Sequence, residues 1–204
     1  MTETVGILGA GVAGKGVARF FLTAGRKVVV SNSRGPETLG GVIAELGAGA
    51  EAGTAAQAAQ APLVVLAIPW TSVEDALAAV PSWSGKTLVD ATNAIKVFAP
   101  PTIELFDFAD RTSSEVVASL TPGASVVKAL NHVPFTQLLS PPPDGEQHVL
   151  FVSGDDATAR AGLRSVLEAN NFAVIELGDL ATGSRIQQVG GPLGGQDLHL
   201  STAG

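Results

Sequence analysis

The chain contains no cysteine, which excludes a disulfide framework, a cysteine-based zinc site and thiol catalysis. Charge is sparse: 15% of the 204 residues are Asp, Glu, Lys or Arg, and 12 basic residues face 19 acidic ones. With a net charge of −7 and no basic patch, nucleic acid is not an expected partner. Low charge combined with 46% hydrophobic residues also excludes a disordered chain. Long hydrophobic runs are missing. The longest, residues 61–70, is about half of the ~18 residues that a spanning helix needs, and Met1-Thr2-Glu3-Thr4 lacks the basic start of an export signal. The expectation is a cytoplasmic protein with no membrane partner. The three histidines are too scattered along the chain to suggest a metal cluster. No staple is needed at this length, since a domain of ~150 residues already buries about 70% of its unfolded surface.

What is present is alternation. Apolar runs of strand length at 4–8, 27–30, 63–68, 87–91 and 125–130 are separated by helical patterns at 12–24, 36–46 and 54–61. Capping-box sequences, Thr71-Ser72-Val73-Glu74 and Thr112-Ser113-Ser114-Glu115, open two more helices. Ser140-Pro141-Pro142-Pro143-Asp144-Gly145 can continue neither a helix nor a central strand and reads as an exposed loop. Beyond it lie a strand at 148–152, a helix at 155–169, a strand at 172–177 and a glycine-rich, less regular tail. This order predicts an α/β fold: a doubly wound parallel sheet in residues 1–140, with a small C-terminal α/β part in residues 146–204.

Gly9-Ala10-Gly11-Val12-Ala13-Gly14 spells G-x-G-x-x-G between a predicted strand and a predicted helix, the context that gives this pattern meaning as a dinucleotide site. Gly9 permits the tight turn, Gly11 lets backbone approach a pyrophosphate, and Gly14 allows close helix–strand packing. The free N–H groups of the following helix suit an anion. An overlapping string, Gly9-x4-Gly14-Lys15, begins like a P-loop but continues with Gly16 where a hydroxyl is required. Lys15 is then read as a solvated helix residue. At the end of the second strand, Ser31, Asn32, Ser33 and Arg34 stand where an NAD site places a carboxylate, and the first acid is Glu37. Hydroxyl, amide and guanidinium donors suit a 2′-phosphate, so NADP is expected over NAD.

Ligands of such sheets bind beyond the carboxyl ends of the strands. Ala67, Ile68, Pro69 and Trp70 end the third strand, Asp90 to Asn93 the fourth, and Ala129 to Pro134 the fifth. Trp70 is either packing or lid. Asp90 is expected to bond nearby backbone. Asn131 and His132, with the tail segment 190–195, are the groups expected against the hydride acceptor, and these two side chains are the candidate catalytic residues. No Ser-His-Asp order or carboxylate pair is visible, which fits cofactor chemistry better than hydrolysis.

From about Val5 to about Gly195 the chain resembles the coenzyme F420-dependent NADP oxidoreductase family. The resemblance rests on Gly9 to Gly16 as G-A-G-V-A-G-K-G, on Ser33-Arg34, on Ala67-Ile68-Pro69-Trp70, on Lys128-Ala129-Leu130-Asn131 and on Gly154-Asp155-Asp156. It implies a Rossmann domain with a small C-terminal part over the nicotinamide cleft. It also implies hydride exchange between NADPH and the deazaflavin of coenzyme F420, and a homodimer. Carried onto matching positions, Ala10, Gly11, Val12, Ala13, Ser33 and Arg34 would contact NADP, and Ile68, Pro69, Asn93 and Ala129 would line the nicotinamide end. Asn131 stands where members of the family tend to carry histidine, with His132 one position later. The C-terminal region is a short glycine-rich segment in place of a longer helix. A free flavin, a quinone or an imine are alternative acceptors, and NADPH sensing without turnover is the alternative of another class.

Overall fold

In the computed structural model, which describes residues 3–201, the first apolar run forms β1 (Thr4–Leu8), buried from Val5 onward. Met1 and Thr2, part of the stretch read above for an export signal, lie outside the described residues. The chain continues through α1 (Val12–Thr23), β2 (Lys27–Ser31), α2 (Gly40–Leu46), β3 (Ala50–Ala52), α3 (Ala55–Ala58), β4 (Leu63–Leu66), α4 (Val73–Ala78) and β5 (Thr87–Asp90). A hairpin follows, β6 (Ile95–Ala99) and β7 (Thr102–Leu105), then α5 (Ser113–Leu120), β8 (Ser125–Lys128) and α6 (Phe135–Leu138). The chain ends with β9 (Glu146–Gly154), α7 (Ala157–Glu168), β10 (Ala173–Glu176), α8 (Gly183–Gln187) and β11 (His199–Ser201).

The main sheet has the order β10-β9-β8-β5-β4-β1-β2-β3, with β11 added on β9. The six strands from β3 to β8 along this order are parallel, giving the doubly wound arrangement expected of a Rossmann sheet. β9 runs antiparallel to β8, because its connection through α6 and the proline loop returns the chain without a crossover; β10 is parallel to β9. The C-terminal part therefore extends the same sheet. It also extends the same core, since Val5, Phe20, Val65 and Val127 share one buried cluster with Leu150, Leu163 and Phe172. α1 explains this continuity. Phe20 packs edge-on against Phe21 and against Phe172, with ring centroids 4.9 and 5.6 Å away. The opposite face is closed by Leu66, Leu77, Trp83 and Leu88.

Local signals were kept or overridden for identifiable reasons. Thr112 forms its capping box: its hydroxyl accepts from the Glu115 N–H at 3.2 Å, and the Glu115 carboxylate accepts from the Thr112 N–H at 2.6 Å. The similar string at Thr71–Glu74 does not; Trp70–Ser72 form a 3-10 turn and Ser72 caps α4 without a side-chain bond. Pro69 starts the turn early, and burial of Trp70 sets its direction. The helix expected at 36–46 is a 3-10 turn, Pro36–Leu39, followed by α2. The hairpin β6–β7, with Phe98 and Ile103 exposed, and the strands β3 and β11 had no usable period. Among the described residues no helix is long and apolar enough to cross a membrane.

Candidate functional site

The glycine turn between β1 and α1 has three different constraints. Gly9 adopts φ +125°, and a Cβ there would lie 2.1 Å from the carbonyl oxygen of Ala67. Gly14 is pressed against the turn itself, as its Cβ would meet the Gly9 carbonyl oxygen at 2.1 Å. Gly11 differs: a Cβ there would meet nothing within 4 Å. It is the N-cap of α1, it offers no side-chain cap, and no acidic residue occupies the first turn. The N–H groups of Val12, Ala13 and Gly14 thus have no acceptor within the helix. Val12 is 78% exposed and Ala13 is exposed as well, so this end of α1 is open to solvent.

A cleft of about 720 Å³ opens over this turn. Gly9, Ala10 and Gly11 form its floor together with Ser31, Asn32 and Ser33 from the end of β2 and Ala67, Ile68 and Pro69 from the end of β4. Leu8, Gly35, Thr54, Ala55, Ser72, Asp75, Ala76 and Ala79 complete the lining. The β2 end is a built loop. Ser31 is buried and its hydroxyl donates to Ile7 O at 3.2 Å. Asn32 donates from Nδ2 to Thr38 Oγ1 at 2.9 Å and accepts the Arg34 N–H at 3.0 Å. These two side chains hold the loop, and both residues line the cleft in which they were expected to act as phosphate donors. Ser33 and Arg34 are exposed, and among the described residues no hydrogen bond or ion pair engages the Arg34 guanidinium. Arg34 sits between Ser33 and Gly35, both of which line the cleft. Lys15 turns to Glu45, 2.8 Å away, which also pairs with Arg19. The Lys15 ammonium, with help from Arg19, holds the Glu45 carboxyl below the usual range.

The remaining strand ends carry two buried polar networks. Asp90 on β5 and Lys128 on β8 face each other in register, and both side chains are fully buried. Lys128 Nζ donates to Asp90 Oδ2 at 3.1 Å and to Thr92 O at 2.5 Å. Asp90 also accepts from Ser114 Oγ at 2.7 Å, Thr92 Oγ1 at 2.6 Å and the Thr92 N–H at 2.9 Å. Burial pushes the Lys128 pKa down, and Asp90 opposes that push. Sequence reasoning missed Lys128 as a structural charge because it ends an apolar strand.

The second network ties the strand ends to α8. Asn93 donates to Asn131 O at 2.9 Å, and Asn131 Nδ2 donates to Gln187 O at 3.0 Å. Gln187 Nε2 returns a bond to Asn131 Oδ1 at 3.2 Å, and Ser153 Oγ donates to Gln187 Oε1 at 2.9 Å. Leu130, at φ +62°, turns the chain between Ala129, fully buried in the core, and Asn131. The Asn131 amide is therefore committed at both ends. His132 is 3% exposed; its Nε2–H donates to Val149 O at 3.1 Å and its ring lies 4.9 Å from that of Phe151. Burial holds its pKa below 6.5, and Nδ1 has no hydrogen-bond partner among the described residues. The two candidate catalytic side chains thus point into protein, and neither lines the cleft. The physical cause is β9 and α8, which cover the end of β8.

Trp70 is packing: it is 9% exposed and contacts Phe108 and Phe106, with ring centroids 5.1 and 6.5 Å away. The tail segment 190–195 contributes no lining residue to the cleft; its Gly195 N–H donates to His132 O at 2.7 Å. Beside Asn93, a hollow lined by Ala94, Phe106, Phe108, Ser113, Gln188 and Val189 has only about 30 Å³. That is room for a water or two, not for a ring system.

Residues 4–94 match the family described as NADP oxidoreductase, coenzyme F420-dependent. A hypothetical protein from Sinorhizobium meliloti is 38% identical, with a TM-score of 0.87 over 97% of this chain and 95% of that one. A protein classed as an F420-dependent NADP-reductase, from Arthrobacter sp. FB24, is 27% identical, with a TM-score of 0.76 over 88% and 86% of the two chains. Metalloreductase STEAP3 of Rattus norvegicus is 28% identical over 186 residues, 91% of this chain. The chain spans 36% of the length of that curated relative.

Proposed function

Because the chain belongs to the coenzyme F420-dependent NADP oxidoreductase family, we propose that it is an NADPH-dependent oxidoreductase exchanging hydride with the deazaflavin of coenzyme F420. The observation that carries the NADP half is the cleft running from the open space at Gly11 to Ser33 and Gly35, which flank Arg34; residues 31–34 carry no carboxylate, and the Arg34 guanidinium has no partner among the described residues. The acid in the lining, Asp75, belongs to α4. The residues fit the cofactor: bare backbone at Gly11 and unpaired helix N–H groups for a pyrophosphate, and Ser33 and Arg34 for a 2′-phosphate. NADPH, when bound, supplies the hydride. The protein's part is orientation, by the backbone of Gly9 to Ala13, the Ile68-Pro69 turn and the carboxyl ends of β1 and β4. The reading includes a homodimer in the cytoplasm, which light scattering of the purified protein tests for its oligomeric part.

The decisive assay is loss of NADPH absorbance with and without purified coenzyme F420. Oxidation that requires F420 supports the reading; NADPH binding with no F420-dependent oxidation removes the deazaflavin. Arg34→Ala tests the cofactor half by fluorescence titration. A hydrogen bond to a charged group contributes roughly 1.5–3 kcal/mol, so NADPH binding should weaken about 10- to 150-fold while NADH binding hardly changes. Equal losses for both would assign Arg34 to the fold. The small volume of the hollow at Ala94 and the committed Asn131 amide favour one second reading, NADPH sensing without turnover. It predicts tight NADPH binding and no oxidation with F420, flavin, quinone or imine.

A further inference from the structure

The structure brings together two histidines that lie 51 residues apart. β11 pairs antiparallel with β9, and the register sets His199 directly opposite His148, on one face of the sheet. Their facing nitrogens, His199 Nε2 and His148 Nδ1, are 3.0 Å apart. Asp197, just before β11, brings Oδ1 to 3.4 Å from His148 Nδ1 and 3.5 Å from His199 Nε2. We propose that His148, His199 and Asp197 form a zinc-binding site that clasps the C-terminal strand to the sheet. This revises the expectation that the histidines are too scattered for a metal.

Zn–N and Zn–O bonds of ~2.0–2.1 Å at tetrahedral angles place ligand atoms about 3.3 Å from one another. The three separations here, 3.0, 3.4 and 3.5 Å, already match that triangle. Both rings are also held from behind. His148 Nε2–H donates to Ser140 O at 3.0 Å, and His199 Nδ1 faces Glu146 Oε2 at 3.2 Å. A carbonyl or carboxylate on the far nitrogen fixes the ring, selects the tautomer with an inward lone pair and makes that lone pair a better donor. Two inward lone pairs 3.0 Å apart repel one another, and a cation between them turns that repulsion into ligation.

Two imidazoles and one carboxylate suit zinc and disfavour magnesium and calcium, which select oxygen ligands. Asp197 and His199 keep 31% and 25% of their side-chain surface exposed, so the fourth position is open to water. Three segments meet at the site: the Ser140 end of the proline loop, β9, and the tail whose Gly195 N–H holds His132 O.

The test is calorimetric titration of untagged protein with zinc chloride, alongside thermal unfolding with and without zinc. One Zn²⁺ per chain and a raised Tm are expected, with no heat from magnesium chloride. His199→Ala is the primary variant, because its exposed side chain can be removed without opening the core. It should abolish binding and leave the zinc-free Tm and NADPH affinity near wild type. Glu146→Gln should weaken zinc about 10- to 100-fold. Wild-type protein that takes up no zinc, or His199→Ala that binds it as wild type does, would overturn the proposal. NADPH affinity, read in the same samples, keeps this outcome separate from the oxidoreductase reading.

Discussion

Lys128→Met asks whether the ends of β5 and β8 are held by charge. In the folded chain the Lys128 ammonium has two acceptors, Asp90 Oδ2 and Thr92 O, and no exposed surface. Met occupies much of the same volume but leaves a buried carboxylate with three neutral donors, from Ser114 and Thr92, and no counter-charge. Removing one partner of a buried pair costs about 3–5 kcal/mol. At ~2–4 °C per kcal/mol for a chain of this size, Tm should fall by about 6–20 °C. Adding Asp90→Asn removes the stranded charge while keeping an oxygen for the Thr92 donors, so the double variant should recover much of the loss. Thermal unfolding followed by circular dichroism at neutral pH reads the effect. A Tm unchanged in Lys128→Met, or a double variant no more stable than the single one, would refute the argument.

The two glycines at the start of the turn should respond in opposite ways. Gly11→Val places its side chain in open space at φ −78°, so Tm should hold while NADPH affinity falls by about 100-fold or more, with several charged hydrogen bonds lost; unchanged affinity would put the pyrophosphate elsewhere. Gly9→Ala should instead destabilise the fold, since strain at φ +125° adds about 1–3 kcal/mol to the clash with Ala67 O; a wild-type denaturation midpoint would contradict this. His132 gives an acid-side test. Burial holds its pKa below 6.5, so the unfolded chain binds the proton more tightly, and the His132 contribution falls as pH drops through 6.5. His132→Phe should lessen the loss of stability between neutral pH and about pH 5; urea midpoints that fall equally in both proteins would remove His132 from the acid response.

What was legible in the sequence was whatever the backbone itself constrains. Gly9 and Gly14 were readable because turn and packing demand a missing Cβ at fixed spacing, and Gly11 leaves open space between them. The parallel strands were readable because burial on both faces prints as an unbroken aliphatic run. Capping strings were less secure: Thr112 forms its box, while the same pattern at Thr71 loses to Pro69 and the burial of Trp70. The pair His148–His199 was not legible at all, since it depends on a three-residue strand finding its register on β9. Lys128 lay inside the strand expected at 125–130, and only the position of Asp90 across the ladder gives it a role.

The same distinction separates the two halves of the proposed site. The cofactor half is built from main chain: the Gly9–Ala13 turn, the ends of β1 and β4, and a β2 loop held by Ser31 and Asn32. Such a surface is formed before any ligand arrives, and its specificity reduces to the exposed Ser33 and Arg34. The acceptor half is built from side-chain amides. Asn93, Asn131, Gln187 and Ser153 satisfy one another, and α8 is held over the end of β8 by two bonds between Asn131 and Gln187. A ring-sized acceptor beside Asn93 would require α8 to move and those amides to find new partners. Gln187→Leu separates the two halves experimentally. It removes the side-chain bonds to Asn131 and Ser153 while touching nothing in the cleft lining, so NADPH affinity should stay at wild type while acceptor turnover changes. A loss of NADPH affinity in Gln187→Leu would mean that the two halves are one cooperative unit, and the division drawn from their construction would fail.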